Sequence, residues 1–114
     1  MQYLLMICTD EAVDESLSEA QMMELLEDYG AFGAELESSG ALLGGNRLRP
    51  ISTATSVQVR EGQTMVTDGP FAETKEQMGG YYIIEAKDLD EALSWAAKVP
   101  SAADGTVEVR PVWQ

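Results

Sequence analysis

Residues 68–100 read DGPFAETKEQMGGYYIIEAKDLDEALSWAAKVP, and this stretch decides the fold. Asp68-Gly69-Pro70 is a turn, because an aspartate carboxylate bonds the backbone two residues on and Gly-Pro fixes the reversal. A charged segment, ETKEQ, follows. Gly79-Gly80 then leads into YYIIEA (81–86), whose β-branched and aromatic residues make a strand. Asp88 stands as a helix cap with Glu91 three positions on, the pattern of a capping box. Leu89, Ala92, Leu93, Ala96 and Val99 recur at helical spacing and can face a sheet, and Pro100 ends the helix.

Working outward, SAADG is a loop and TVEVRPVW (106–113) a last strand, with Pro111 suited to an edge or a strand end. Upstream, STATSVQVR (52–60) alternates cleanly, with Thr53, Thr55, Val57 and Val59 on one face. Glu61-Gly62 turns it into QTMVT (63–67) as a hairpin. ALLGGNRLRP is a short strand interrupted by Gly44-Gly45. Before it, Met22, Leu25, Leu26, Tyr29, Phe32, Gly33 and Leu36 repeat at threes and fours, which predicts a long helix ending near residue 39 with Gly40 as its stop. Its start is a capping box formed by Ser16 with Glu19 or by Ser18 with Gln21. Residues 9–15, TDEAVDE, read as a polar loop, and the nearly continuous apolar run at 2–8 as a central strand buried on both faces.

The order β, α, β, hairpin, β, α, β is that of an α+β fold, a ferredoxin-like α/β sandwich with an extra β-hairpin, in one domain over 1–114. Two helices cover one sheet face only. The strands nevertheless carry apolar residues on both faces, with Tyr81 and Ile83 on one side and Tyr82 and Ile84 on the other. A whole apolar face is rarely left wet, so the expected assembly is a symmetric homodimer with the two sheets face to face.

Composition narrows the function. The chain has 114 residues, enough for one modest core, in which roughly 65% of the unfolded surface can be buried. Twenty acidic residues against seven basic give a net charge of −13, which repels nucleic acid and anionic lipid alike. A single cysteine, Cys8, excludes an internal disulfide and reads as a small buried hydrophobe; no disulfide use fits a reducing cytoplasm. No signal peptide or membrane-spanning run is evident. There is no histidine, which removes Ser-His-Asp and Cys-His mechanisms and the commonest metal ligand. No metal site and no cofactor are expected, and Gly79-Gly80 is not part of a phosphate loop.

The run from Asp68 to Pro100, with STATSVQVR before it and GTVEVRPVW after it, resembles the DGPF-type branch of the YCII-related proteins over Tyr3 to Val112. The resemblance implies a dimeric α+β barrel of ferredoxin-like subunits, a bacterial source, and a link to extracytoplasmic-function sigma factors as a regulatory partner. Better-known YCII-related proteins carry a His-Asp pair proposed as an active site, and some relatives act on ring compounds. Without a histidine the pair has no counterpart here, and Asp68 is the aspartate offered in its place.

Each candidate residue has two readings. Asp68 makes the turn, or it is a general acid or base at a pocket mouth. Phe71 is a core plug or a pocket wall. Lys75 is an exposed lysine among Glu73 and Glu76, or a cation presented to an anionic ligand. Gly79 and Gly80 relieve the entry to a strand, or let a ligand approach the backbone. Tyr81 is a sheet residue or orients a ligand, and Arg110 either forms a buried pair with Glu85 across the sheet or, with it, contributes polar groups to an inner cavity. Met22 and Met23 read as core filler. Two functions therefore stand: a small-molecule-binding or regulatory accessory protein, and an enzyme acting on a small ring-bearing or anionic metabolite with Asp68 as acid/base.

Overall fold

In the computed structural model, which describes residues 1–113, every second residue of the first strand is buried. This strand, β1 (Gln2–Thr9), sends Tyr3, Leu5 and Ile7 beneath the helices and leaves Leu4, Met6 and Cys8 half-buried on the outer face. Alternation thus replaces the two-sided burial expected of a continuous apolar run, because only one face has a layer over it.

The remaining elements are α1 (Glu11–Glu15), α2 (Glu19–Ser38), β2 (Leu42–Arg47), β3 (Thr55–Arg60), β4 (Gln63–Asp68), β5 (Gln77–Glu85), α3 (Leu89–Lys98) and β6 (Thr106–Pro111). Four strands form one antiparallel sheet in the order β2-β5-β1-β6, and β3 with β4 form a separate two-stranded sheet. This is the ferredoxin-like sandwich with its added hairpin. Among the described residues no helix is long and apolar enough to cross a membrane.

Local chemistry explains the helix ends. Of the two capping boxes offered for α2, the chain uses Ser18 and Gln21: the Gln21 amide donates to Ser18 Oγ at 3.1 Å and the Ser18 amide to Gln21 Oε1 at 2.9 Å. Asp88 accepts from the Glu91 amide at 2.9 Å, but the Glu91 carboxylate reaches the Lys87 amide instead of closing the box. Gly40 stops α2 with φ +80°, a conformation that favours glycine. The hairpin tip, Glu61-Gly62, has both φ positive, as a type I′ turn requires.

Several boundaries differ from the sequence reading. Residues 11–15 are a helical turn, not a loop, capped by Asp10 accepting from the Ala12 amide. Ile51–Thr53 is a 3-10 turn, so the alternating strand starts at Thr55. Strand β2 continues through Gly44-Gly45 with a register shift between Leu42 and Gly44, and Gly79-Gly80 lie inside β5, not before it. Gly79 is the extra residue of a β-bulge, since Ile7 opposes Gly80 and Cys8 opposes Met78.

The core joins Leu5, Ile84, Phe32, Leu36 and Val99, with Ala92 and Ala96 of α3. Leu89 and Leu93, expected to face the sheet, are exposed; Trp95 takes their place, edge-on to Phe32 at 6.3 Å and beneath the Lys98 ammonium. Only Phe32 and Leu36 of α2 are buried, both in its second half. Met23 is 63% exposed, so it does not fill the core.

Candidate functional site

The first half of α2 does not close onto the sheet. Its Met22, Leu25, Leu26 and Tyr29 form one wall of a cleft of about 460 Å³. The floor is Ile7 and Thr9 of β1 with residues 79–82 of β5. Gly45, Asn46 and Arg47 of β2 continue into Leu48 and Pro50 on the far side, and α1 supplies Glu11, Asp14 and Glu15 at the mouth. Volume and mainly apolar lining with a few polar groups are those of a small-molecule site. A wider groove of about 730 Å³ on the other side of α2 is open to solvent and mixes acids such as Asp10, Glu24, Asp28 and Asp104 with apolar residues such as Val13, Leu17 and Phe32.

Most polar groups of the cleft are tied to the chain itself. Thr9 Oγ1 donates to Asp14 Oδ2 at 2.6 Å. The Ile51 amide donates to Glu11 Oε1 at 3.0 Å, and the Glu11 amide donates to Gln77 Oε1 at 2.9 Å, so α1 is pinned to β5 and to the segment after β2. Tyr29 OH donates to Ser101 Oγ at 2.6 Å. Burial raises the Tyr29 phenol pKa, and the bond to Ser101 partly opposes the rise. Burial likewise raises the pKa of Tyr82, whose ring meets Phe32 beneath the helix. Arg47 differs from these groups. The ion pairs of the described residues join the N-terminal amine to Glu85, Lys98 to Glu35 and Arg110 to Glu108, and they leave Arg47 unpaired.

The two glycines Gly45 and Gly79 differ in what they do at the cleft. A Cβ on Gly45 would stand 2.7 Å from the Tyr81 carbonyl oxygen and 2.9 Å from Tyr82 Cδ1, so its absence lets β2 sit flush against β5. A Cβ on Gly79 would meet nothing within 4 Å. Its carbonyl accepts from the Leu48 amide at 2.9 Å and holds the chain that leaves β2.

Of the residues singled out in the sequence, Gly79, Gly80 and Tyr81 line this cleft. The Tyr81 side chain, however, is on the outer face with its cross-strand partner Met6, and there its OH accepts from Asn46 Nδ2 at 2.9 Å. Asp68, Phe71, Lys75 and Arg110 lie elsewhere. Asp68 is exposed opposite Thr55 at the root of the hairpin, and Phe71 is 90% exposed in the loop after it. Lys75 is exposed in the same loop, and no ion pair with Glu73 or Glu76 forms among the described residues; Glu76 instead accepts from Thr106 Oγ1. Arg110 faces outward opposite Leu4 and meets Glu108, while Glu85 binds the N-terminal amine; the expected Glu85–Arg110 pair does not form, because the register places them on different rungs. Arg47 and Ser101 were not singled out, and Tyr29 was read only as part of the apolar stripe of the long helix. The scarcity of cations could have flagged Arg47, but nothing local could bring Tyr29 to Ser101, 72 positions away.

Cys8 is half-buried on the outer sheet face, and burial, then Glu108 and Glu76, raise its thiol pKa, which suits a packing residue better than a nucleophile.

A sandwich of this topology, with a cleft under its long helix, defines a class of small α+β domains. The chain belongs to the YCII-related family, whose domain model matches residues 1–114; the match does not distinguish a DGPF branch within it. An uncharacterized protein of Rhizobium meliloti is 37% identical over 114 residues, covering 98% of this chain and 92% of that protein. A solved structure, 5-chloro-2-hydroxyhydroquinone dehydrochlorinase from Burkholderia phenoliruptrix in complex with 2,5-dihydroxybenzoquinone, aligns with a TM-score of 0.49 at 19% identity. The alignment covers 100% of this chain and 94% of that one, and similarity at this level assigns no substrate here.

Proposed function

We propose that this protein binds a small, mainly apolar molecule carrying a single negative charge in the cleft beneath the first half of α2. The carrying observation is the cleft itself: about 460 Å³, walled by Met22, Leu25, Leu26 and Tyr29, with the unpaired Arg47 guanidinium at its edge. A guanidinium offers a planar fork to a carboxylate or phenolate. Glu11, Asp14 and Glu15 at the same mouth oppose a phosphate or other multiply charged group, which narrows the ligand to a ring-bearing monoanion. The binding reading takes precedence over catalysis because most of the cleft's polar groups, Arg47 apart, are already hydrogen-bonded within the chain. The regulatory connection to sigma factors draws on the family resemblance alone.

The protein acts in this reading as a homodimer, its outer sheet faces together. Leu4 and Met6 share that face with their cross-strand partners Ile83 and Tyr81.

Thermal-shift and calorimetric titration with a panel of aromatic carboxylates and phenols tests the reading. A binder that is lost in Arg47→Gln, and blocked by a bulky Leu25→Trp, is the expected result. Equal binding of that ligand by wild type and by both variants would sink the assignment of this cleft.

A further inference from the structure

The hairpin β3–β4 is an arm. Its strands pair with one another and make few contacts with the rest of the chain beyond the root, where the Gly69 amide donates to the Ala54 carbonyl at 2.7 Å and Ser56 Oγ donates to the Gly69 carbonyl at 2.7 Å. The pairing fixes which residues share a side. Val57 opposes Val66 and Val59 opposes Thr64, so the three valines form one face, while Gln58 opposes Met65 on the other. Val57, Val59 and Val66 are 60%, 58% and 64% exposed. An isolated two-stranded hairpin is marginal in water, and a valine face on it invites a cover.

The molecule's dimensions say how much cover is wanted. Its radius of gyration is 16.0 Å, where a compact chain of this length would have about 13 Å. Its accessible surface is 8025 Å², against about 6,100 Å² expected of a globular monomer of this mass. The surplus of about 1,900 Å² exceeds the roughly 800 Å² that each partner contributes to a standard interface and matches one side of a large obligate one. The same chain bears two uncovered apolar surfaces, the outer sheet face and the valine face of the arm. A second copy related by a two-fold axis covers both at once and leaves no open end, whereas a different partner would need complements to both.

We propose that β3–β4 is a clasp: in a two-fold pair of chains, the Val57, Val59 and Val66 face of each arm packs on the other copy. This inference rests on the homodimer reading above and is independent of what the cleft binds.

Sedimentation equilibrium of the full chain, with two charge-matched double variants, tests it. Val57→Glu with Val66→Glu places two carboxylates on the valine face, and Gln58→Glu with Met65→Glu places two on the reverse face. The expected result is a wild-type dimer, a dissociation constant raised on the order of a hundredfold or more by the valine-face variant, and a change within about threefold for the reverse-face variant. Circular dichroism and the thermal transition check that each variant folds. If the glutamates prevent folding, Val57→Thr with Val66→Thr keeps β-propensity and weakens the dimer by about tenfold. A wild-type dimer whose dissociation constant ignores the valine-face changes overturns the clasp and leaves the sheet-face dimer standing. A wild-type chain that stays monomeric at micromolar concentration overturns both.

Discussion

The ring of Phe32 stands edge-on to that of Tyr82, 5.3 Å between centroids and 70° between planes, and this contact marks where α2 parts from the sheet. On the C-terminal side, Phe32 and Leu36 are core; on the N-terminal side, Tyr29, Leu25 and Met22 border the cleft. In this pair Tyr82 lines the cleft and Phe32 belongs to the hydrophobic core, so the contact is the boundary between the two. Phe32→Ala should cost about 3–5 kcal/mol in urea unfolding. Leu26→Ala, at a position 49% exposed, should cost far less. A small loss at Phe32 would show that the helix is held by something other than this packing.

Tyr29 should report its environment through its ionisation. Its raised folded-state pKa means the neutral phenol is favoured in the native state. The associated stabilisation is fully present below the unfolded tyrosine value, about pH 10, and is lost as pH rises through the higher folded value. Ultraviolet titration should show Tyr29 and Tyr82 ionising late, and Tyr29→Phe should remove one late step. The same variant loses the bond to Ser101, at about 0.5–1.5 kcal/mol of stability near neutral pH. A titration unchanged by Tyr29→Phe would contradict the described burial.

The glycines at β2 and β5 should not respond alike. Gly45→Ala forces a methyl into the Tyr81 carbonyl and the Tyr82 ring and should cost about 1–3 kcal/mol. Gly79→Ala meets open space at an ordinary φ and should be near neutral, or stabilising by a few tenths of a kcal/mol through the unfolded chain. Melting temperatures of the two variants decide this, and the reverse order would be inconsistent with the observed packing of β2 on β5.

Asp68→Asn tests the alternative placement of the site. Asp68 is exposed at the end of β4, so the change should alter stability by no more than about 0.5 kcal/mol. If the ligand sits beneath α2, its affinity for this variant equals that for wild type. Selective loss of binding in Asp68→Asn would move the site to the DGPF loop.

Much of the architecture was legible because it is written in local signals. Ser18 with Gln21, Asp88, Gly40 and Glu61-Gly62 each specify a cap or turn through their own backbone needs, and all four are used. The site was less legible. Its residues meet through the sheet register and through the departure of α2 from the sheet, and neither leaves a local mark. The apolar stripe from Met22 to Leu36 has one period but two environments, since helical spacing reports a face and not what lies opposite it. Helix α1 escaped notice because five residues carry too little periodicity to distinguish a helical turn from a loop. Gly79-Gly80 drew attention as punctuation before a strand, whereas they sit at a bulge inside β5, where the extra residue Gly79 has an ordinary φ and open space at its Cβ position.

The half-length anchoring of α2 has a dynamic consequence. A helix buried at one end and bordering a cleft at the other does not open as one unit, because local opening is easiest where buried apolar contacts are fewest. Amide hydrogen exchange should therefore grade along its length, slow around Leu36 and faster toward Met22. A ligand seated beneath Tyr29 would flatten that gradient, so the backbone of one helix can register occupancy of the site without a change in fold.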